Sequence, residues 1–227
     1  MKYEIKGGAM PIVEIHVDKN ESIKCEGGGM IWMSDNMSME TKGGGLGKMF
    51  GRALSGESMF QNIYTAKGGE GMITLGSCFP GSIIAVEIGP GKELICQKSA
   101  YLGSSTGVEL SIEFQKKFGT GVFGGEGFIM QRLSGKGLAF VEIDGTAIEY
   151  TLAAGEKMII DTGHLAFMEG SCKMDIEKVK GGIKNMAFGG EGLFNTAVTG
   201  PGKITLQTMP KNAMAAQIAP YMVTGGN

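Results

Sequence analysis

Gly125-Glu126-Gly127-Phe128-Ile129-Met130-Gln131-Arg132-Leu133-Ser134-Gly135-Lys136-Gly137 has a counterpart in Gly190-Glu191-Gly192-Leu193-Phe194-Asn195-Thr196-Ala197-Val198-Thr199-Gly200-Pro201-Gly202. A third copy opens at Gly56-Glu57-Ser58-Met59-Phe60-Gln61-Asn62 and runs through Gly69-Glu70-Gly71, with two extra residues in its turn. Each copy leads into an apolar run: Met72–Leu75, Leu138–Ile143 and Ile204–Gln207. Upstream of each stands an acidic-then-apolar start: Glu21-Ser22-Ile23, Glu93-Leu94-Ile95 and Glu156-Lys157-Met158. Self-similarity at a fixed long period is the mark of one supersecondary unit written several times. The chain therefore reads as three β units, 1–88, 89–152 and 153–210, followed by an Ala-rich tail, 211–227.

Outward from the repeat, alternation of period two dominates. Val108-Glu109-Leu110-Ser111-Ile112-Glu113-Phe114-Gln115 sets four apolar side chains against four polar ones, and Ile12–Asp18 does the same with Val13, Ile15 and Val17. Such alternation builds half-buried strands. Asp144-Gly145, between two apolar runs, predicts a two-residue type I′ hairpin. The 40 glycines, against the 6 prolines, supply many tight reversals; average usage gives about 16 glycines at this length. Closely spaced strands without intervening helices predict an all-β fold of antiparallel units in a pseudo-threefold barrel or prism.

Composition closes off several functions. A net charge of −2 and a pI near 5.8 give no basic footprint for nucleic acid. No run approaches the length of a membrane-spanning helix. The charged start Met1-Lys2-Tyr3-Glu4 does not read as a secretory signal, so a cytoplasmic protein is expected. Cys25, Cys78, Cys96 and Cys172 lack metal or redox spacing and read as free buried thiols.

The motif matches are weak. Gly119-Thr120-Gly121-Val122-Phe123-Gly124 fits a dinucleotide fingerprint but is followed by another Gly-rich strand rather than a helix. Gly103-Ser104-Ser105-Thr106-Gly107 fits a nucleophile elbow, with Asp144, Asp161 and His164 downstream. The strand after Gly107 favours a polar hairpin turn over a serine hydrolase at Ser105. His16 lies between Glu14 and Asp18 on one strand face, where residues about 7 Å apart cannot share one ion. His164, alone in an apolar stretch, reads as a core residue. No catalytic residue, metal site or cofactor is assigned.

Two sets of residues remain. Glu57, Glu126 and Glu191 occupy equivalent repeat positions and, with Asn62, form a candidate ligand site between units. The competing reading is a carboxylate bonded within its own Gly-rich turn. The insert 43–56 places Leu46, Met49, Phe50 and Leu54 on one amphipathic face, with Lys48 and Arg52 off it. It reads either as a plug on the β core or as a contact for a protein partner or membrane surface.

Gly43-Gly44-Gly45-Leu46, then Arg52, then Ser55-Gly56-Glu57-Ser58-Met59-Phe60-Gln61-Asn62-Ile63-Tyr64-Thr65-Ala66, resembles the signature of the altered-inheritance-of-mitochondria family. The resemblance covers about residues 5–210. It implies a triplicated fold similar to that of the tryptophan RNA-binding attenuation protein, in a body that associates further. That protein's tryptophan and RNA sites have no matching motif in this chain. The expectation is a non-enzymatic, homo-oligomeric scaffold, peripheral to a membrane. A small-ligand module is the alternative.

Overall fold

The computed structural model describes residues 1–42, 61–77, 79–116, 127–178 and 194–222. Their regular structure is almost all antiparallel β. The first third holds β1 (Lys2–Lys6), β2 (Ile12–Val17), β3 (Ser22–Glu26), β4 (Met30–Met33), β5 (Met37–Lys42), β6 (Gln61–Ala66) and β7 (Gly71–Gly76). The middle holds β8 (Gly81–Ile88), β9 (Leu94–Gln97), β10 (Tyr101–Ser105), β11 (Val108–Lys116), β12 (Phe128–Gly135) and β13 (Gly137–Asp144). The last part holds β14 (Ala147–Leu152), β15 (Lys157–Asp161), β16 (Leu165–Glu169), β17 (Lys173–Lys178), β18 (Phe194–Thr199) and β19 (Gly202–Gln207), then helix α1 (Lys211–Ile218).

One pairing scheme recurs. Strands β2, β8 and β14 pair with β7, β13 and β19. The other edges of β7, β13 and β19 receive β4, β10 and β16. Each of those three strands carries a bulge, at Met30/Trp32, Tyr101/Gly103 and Leu165/Phe167. Strands β6, β12 and β18 are flanked by β3, β9 and β15 on one side and by β5, β11 and β17 on the other. Asn62, Gln131 and Thr196, equivalent in the repeat, face Cys25, Cys96 and Ile160 in register.

Two ladders join consecutive parts. Strand β10 pairs with β3 through Gly103↔Cys25, Ser104↔Lys24 and Ser105↔Ile23. Strand β16 pairs with β9 through Phe167↔Cys96, Met168↔Ile95 and Glu169↔Leu94. The first junction needs a residue without a side chain, since a Cβ at Gly103 would stand 2.6 Å from Leu75 Cδ1 and 2.8 Å from the Lys24 carbonyl. These junctions build two six-stranded sheets, β5-β6-β3-β10-β13-β8 and β11-β12-β9-β16-β19-β14. A four-stranded sheet β1-β2-β7-β4 and a three-stranded sheet β15-β18-β17 complete the described residues. The expected closed barrel is not formed, because β4 and β15 both end as sheet edges.

The alternation read from the sequence is borne out: Val13, Ile15 and Val17 are fully buried, and the residues between them are half-exposed. Each such burial contributes roughly 1.5–3 kcal/mol. The core forms three clusters, and each includes residues from a neighbouring part. Ile83, Leu102 and Phe140 join the first cluster, Ala166 and Phe167 the second, and Ile95, Phe128 and Met130 the third.

Two turn expectations are corrected. Asp144-Gly145 is not a hairpin, because both edges of β13 are already taken, by β8 and β10. Gly145 has φ +79° while Asp144 stays outside the left-handed region, and the chain crosses to β19 instead. The same holds at Thr106-Gly107, where β10 and β11 enter different sheets. Among the described residues no helix is long and apolar enough to cross a membrane.

Candidate functional site

Four strands end together. Glu26 closes β3, Gln97 closes β9, Asp144 closes β13 and Gln207 closes β19. All four residues line one cavity of 520 Å³, with Lys211 at the start of α1 and Phe128 on β12. Strands that terminate on a polar residue deliver these groups. The antiparallel order then brings ends that are distant in sequence to the same place.

The carboxamides tie the parts together. Gln97 Nε2 donates to the carbonyls of Gly163, at 3.1 Å, and Leu165, at 2.5 Å. Gln207 Nε2 donates to the same Gly163 carbonyl at 2.9 Å, and its Oε1 accepts from the Asp144 amide at 3.1 Å. His164 Nδ1 lies 2.8 Å from the Gln207 carbonyl. That oxygen can only accept, so the imidazole carries a proton on Nδ1. His164 is thus hydrogen-bonded through Nδ1 but half-buried, at the margin of the core rather than within it as expected.

Charge enters from the tail. Lys211 Nζ pairs with Glu142 and lies 3.6 Å from Asp144 Oδ1, while its backbone N–H donates to Asp144 Oδ2 at 3.1 Å. The same ammonium lies 5.6 Å from the Phe79 ring centroid. Burial pushes the Asp144 carboxyl above the ordinary carboxylate value, with the Lys211 charge opposing it. For Lys211 burial acts downward, but Glu142 and Asp144 outweigh it and hold the ammonium above its ordinary value. The Ala-rich tail begins with a cation that neutralises two buried carboxylates.

The arrangement offers shape, hydrogen bonding and charge, and among the described residues no cysteine lines the cavity. Cys25 is buried and its thiol is pushed up to about 12 by that burial. Cys96 and Cys172 are likewise free, buried and shifted upward. Among the described residues no three His, Cys, Asp or Glu side chains gather as metal ligands. His16 meets Glu14 Oε1 and Glu70 Oε1, each at 3.2 Å, on an exposed face.

Asn62 lies half-buried on β6, where its Oδ1 accepts from Thr41 Oγ1 at 2.9 Å, and it does not line the cavity. Glu57, Glu126 and Glu191 lie outside the described residues, as do Leu46, Lys48, Met49, Phe50, Arg52 and Leu54. Ser105 ends β10 and its Oγ accepts from the Leu138 amide at 3.0 Å. A turn and β11 follow it, so the strand-to-helix elbow of a hydrolase is not built there. Sequence reading missed Gln97, Gln207 and Lys211, and named Asp144 only as a turn residue and a weak triad candidate. The available signal was a polar residue closing each strand, but nothing in the spacing shows that the ends meet.

The model of the mitochondrial biogenesis AIM24 family matches residues 3–209. The chain belongs to this family. A protein described as uncharacterized, from Streptococcus pyogenes serotype M6, is 30% identical, covering 96% of this chain and 89% of that protein. A crystal structure of a Streptococcus pyogenes protein superimposes with a TM-score of 0.80 at 27% identity, covering 97% of this chain and 99% of the other. The expected family is thereby established, and the described residues within the matched length are built mainly of β-strands.

Proposed function

We propose that this AIM24-family protein is a non-enzymatic assembly module that associates with further copies of itself and serves as a scaffold. The observation that carries this reading is apolar surface on strand edges: Ile31 and Trp32 on β4 are each 47% exposed, and Ile159 on β15 is 50% exposed. Isolated exposed apolar residues need no explanation, but contiguous ones on an open sheet edge favour pairing. In this reading the three units follow one another about an approximate triad axis without closing on it. The insert 43–56 supplies a contact with a cytoplasmic membrane surface. Light scattering behind size exclusion, over a range of concentrations, tests the assembly; a strict monomer throughout removes it. Co-flotation with anionic vesicles tests the membrane contact, which Leu46→Ser/Met49→Ser/Phe50→Ser is expected to abolish.

A second reading is favoured by the 520 Å³ cavity, which is large enough for a small polar molecule. A thermal-shift screen over metals, amino acids and nucleotides tests it, since a ligand at 100 times its Kd adds about 2.7 kcal/mol. A screen without shifts removes this second reading.

A further inference from the structure

From the two junctions already made in the chain we infer that β4 of one molecule pairs with β15 of a second copy, in the register Trp32↔Ile160, Met33↔Ile159 and Ser34↔Met158. This rests on the assembly reading and names its partner. The register follows from the recurring scheme. The residue just after the bulge is Trp32, Gly103 or Phe167. Gly103 faces Cys25 and Phe167 faces Cys96 across the junctions. The position equivalent to Cys25 and Cys96 in the third part is Ile160, because all three face the same repeat position on the neighbouring strand, Asn62, Gln131 or Thr196. Continuing the antiparallel register one and two residues forward from Trp32 and back from Ile160 gives the other two pairs.

Burial shows what the missing junction leaves bare. Leu102 and Ser104 on β10 are 5% and 0% exposed, and Ala166 and Met168 on β16 are 0% and 1% exposed. Their counterparts on β4, Ile31 and Met33, are 47% and 36% exposed. On the opposite strand, Ile95 in β9 is 2% exposed and its counterpart Ile159 is 50% exposed. Composition agrees. Among the described residues the other edge strands β1, β5, β8, β11, β14, β15 and β17 each carry at least one charged residue, whereas Met30-Ile31-Trp32-Met33 carries none. Open edges are ordinarily guarded by charge, proline or a cover, because a bare edge templates pairing. An unguarded apolar edge is suited to a strand of matching register. The chain's own β15 does not occupy it, which leaves the β15 of a neighbour. The contact is head-to-tail, so it forms a ring if its rotation closes and a filament if it does not.

The test uses the full chain with Cys78→Ser, carrying either Met33→Cys or Ile159→Cys. Directly opposed residues in an antiparallel pair lie about 4.5–5.5 Å apart at Cα, within disulfide reach. Mild oxidation of the mixed single variants is expected to give the Met33→Cys/Ile159→Cys covalent dimer as the main product, far above a Met39→Cys/Ile159→Cys control. Both positions are exposed, and circular dichroism checks that each variant is folded. No enrichment over the control overturns the inference. So does an intrachain disulfide as the main product of the dilute double variant, which would mean that the chain closes on itself. Light scattering on the wild type separates the two levels: oligomers without the cross-link leave the assembly reading standing and remove only this contact.

Discussion

Gln97 and Lys211 illustrate how a single side chain can join parts of the chain that the sequence separates. Gln97 reaches two carbonyls around the turn before β16. In Gln97→Leu the Leu165 carbonyl loses a buried donor, and a stability loss of about 1–3 kcal/mol is expected from urea unfolding with an unchanged m-value. Lys211→Met removes the cation from Glu142 and Asp144. Breaking a buried pair costs ~3–5 kcal/mol, and the 30% exposure of the Lys211 side chain reduces the expectation to about 2 kcal/mol. The pH dependence follows from the signs. Asp144 sits above its ordinary value of 3.8, so ionising it opposes folding, and the penalty develops as pH rises through that raised value. Lys211 is held above 10.5, so its contribution is complete below 10.5 and is lost as pH rises through the folded value. The stability gap between wild type and Lys211→Met should therefore be widest near neutrality and narrow at both extremes. Urea unfolding from acidic to strongly alkaline pH measures it.

At the scale of elements, strands and helix differ in how firmly they are held. No residue of α1 is buried. A chain ending after Asn212 keeps the Lys211 pairs, and its unfolding free energy should lie within about 0.5 kcal/mol of the intact protein. A larger loss would mean that α1 is bound to the body by contacts beyond Lys211 and Asn212. Strands β11 and β12 are held by more than their ladder. Arg132 Nε and Nη2 donate to the two carboxylate oxygens of Glu113 at 2.8 and 3.0 Å, and Nη1 donates to Glu93 at 2.5 Å. The guanidinium bonds hold the Glu113 carboxyl below its ordinary value. That strand-to-strand clasp joins exposed and half-buried side chains, and among the described residues no such clasp lies on β4, which carries no charged residue.

For the molecule as a whole, the shared core clusters set the cooperativity. Each cluster takes side chains from a neighbouring part, so no part can unfold without stripping another. Urea unfolding followed by far-ultraviolet circular dichroism and by fluorescence of the single Trp, Trp32, should therefore give coincident transitions. Separated transitions would mean that the three parts unfold independently. The sequence by itself determined the all-β class, the strands at Ile12–Val17 and Val108–Lys116 with their inward faces, and the likeness of the segments 125–137 and 190–202. These are short-range matters: alternation follows from the pleat, and a repeated segment folds as its copies do. Only the tertiary structure decided that Asp144-Gly145 crosses between sheets, that Gln97, Gln207 and Lys211 converge, and that β4 and β15 remain edges. Such facts depend on which strand edges are already taken when each new strand arrives, and no local pattern records an occupied edge.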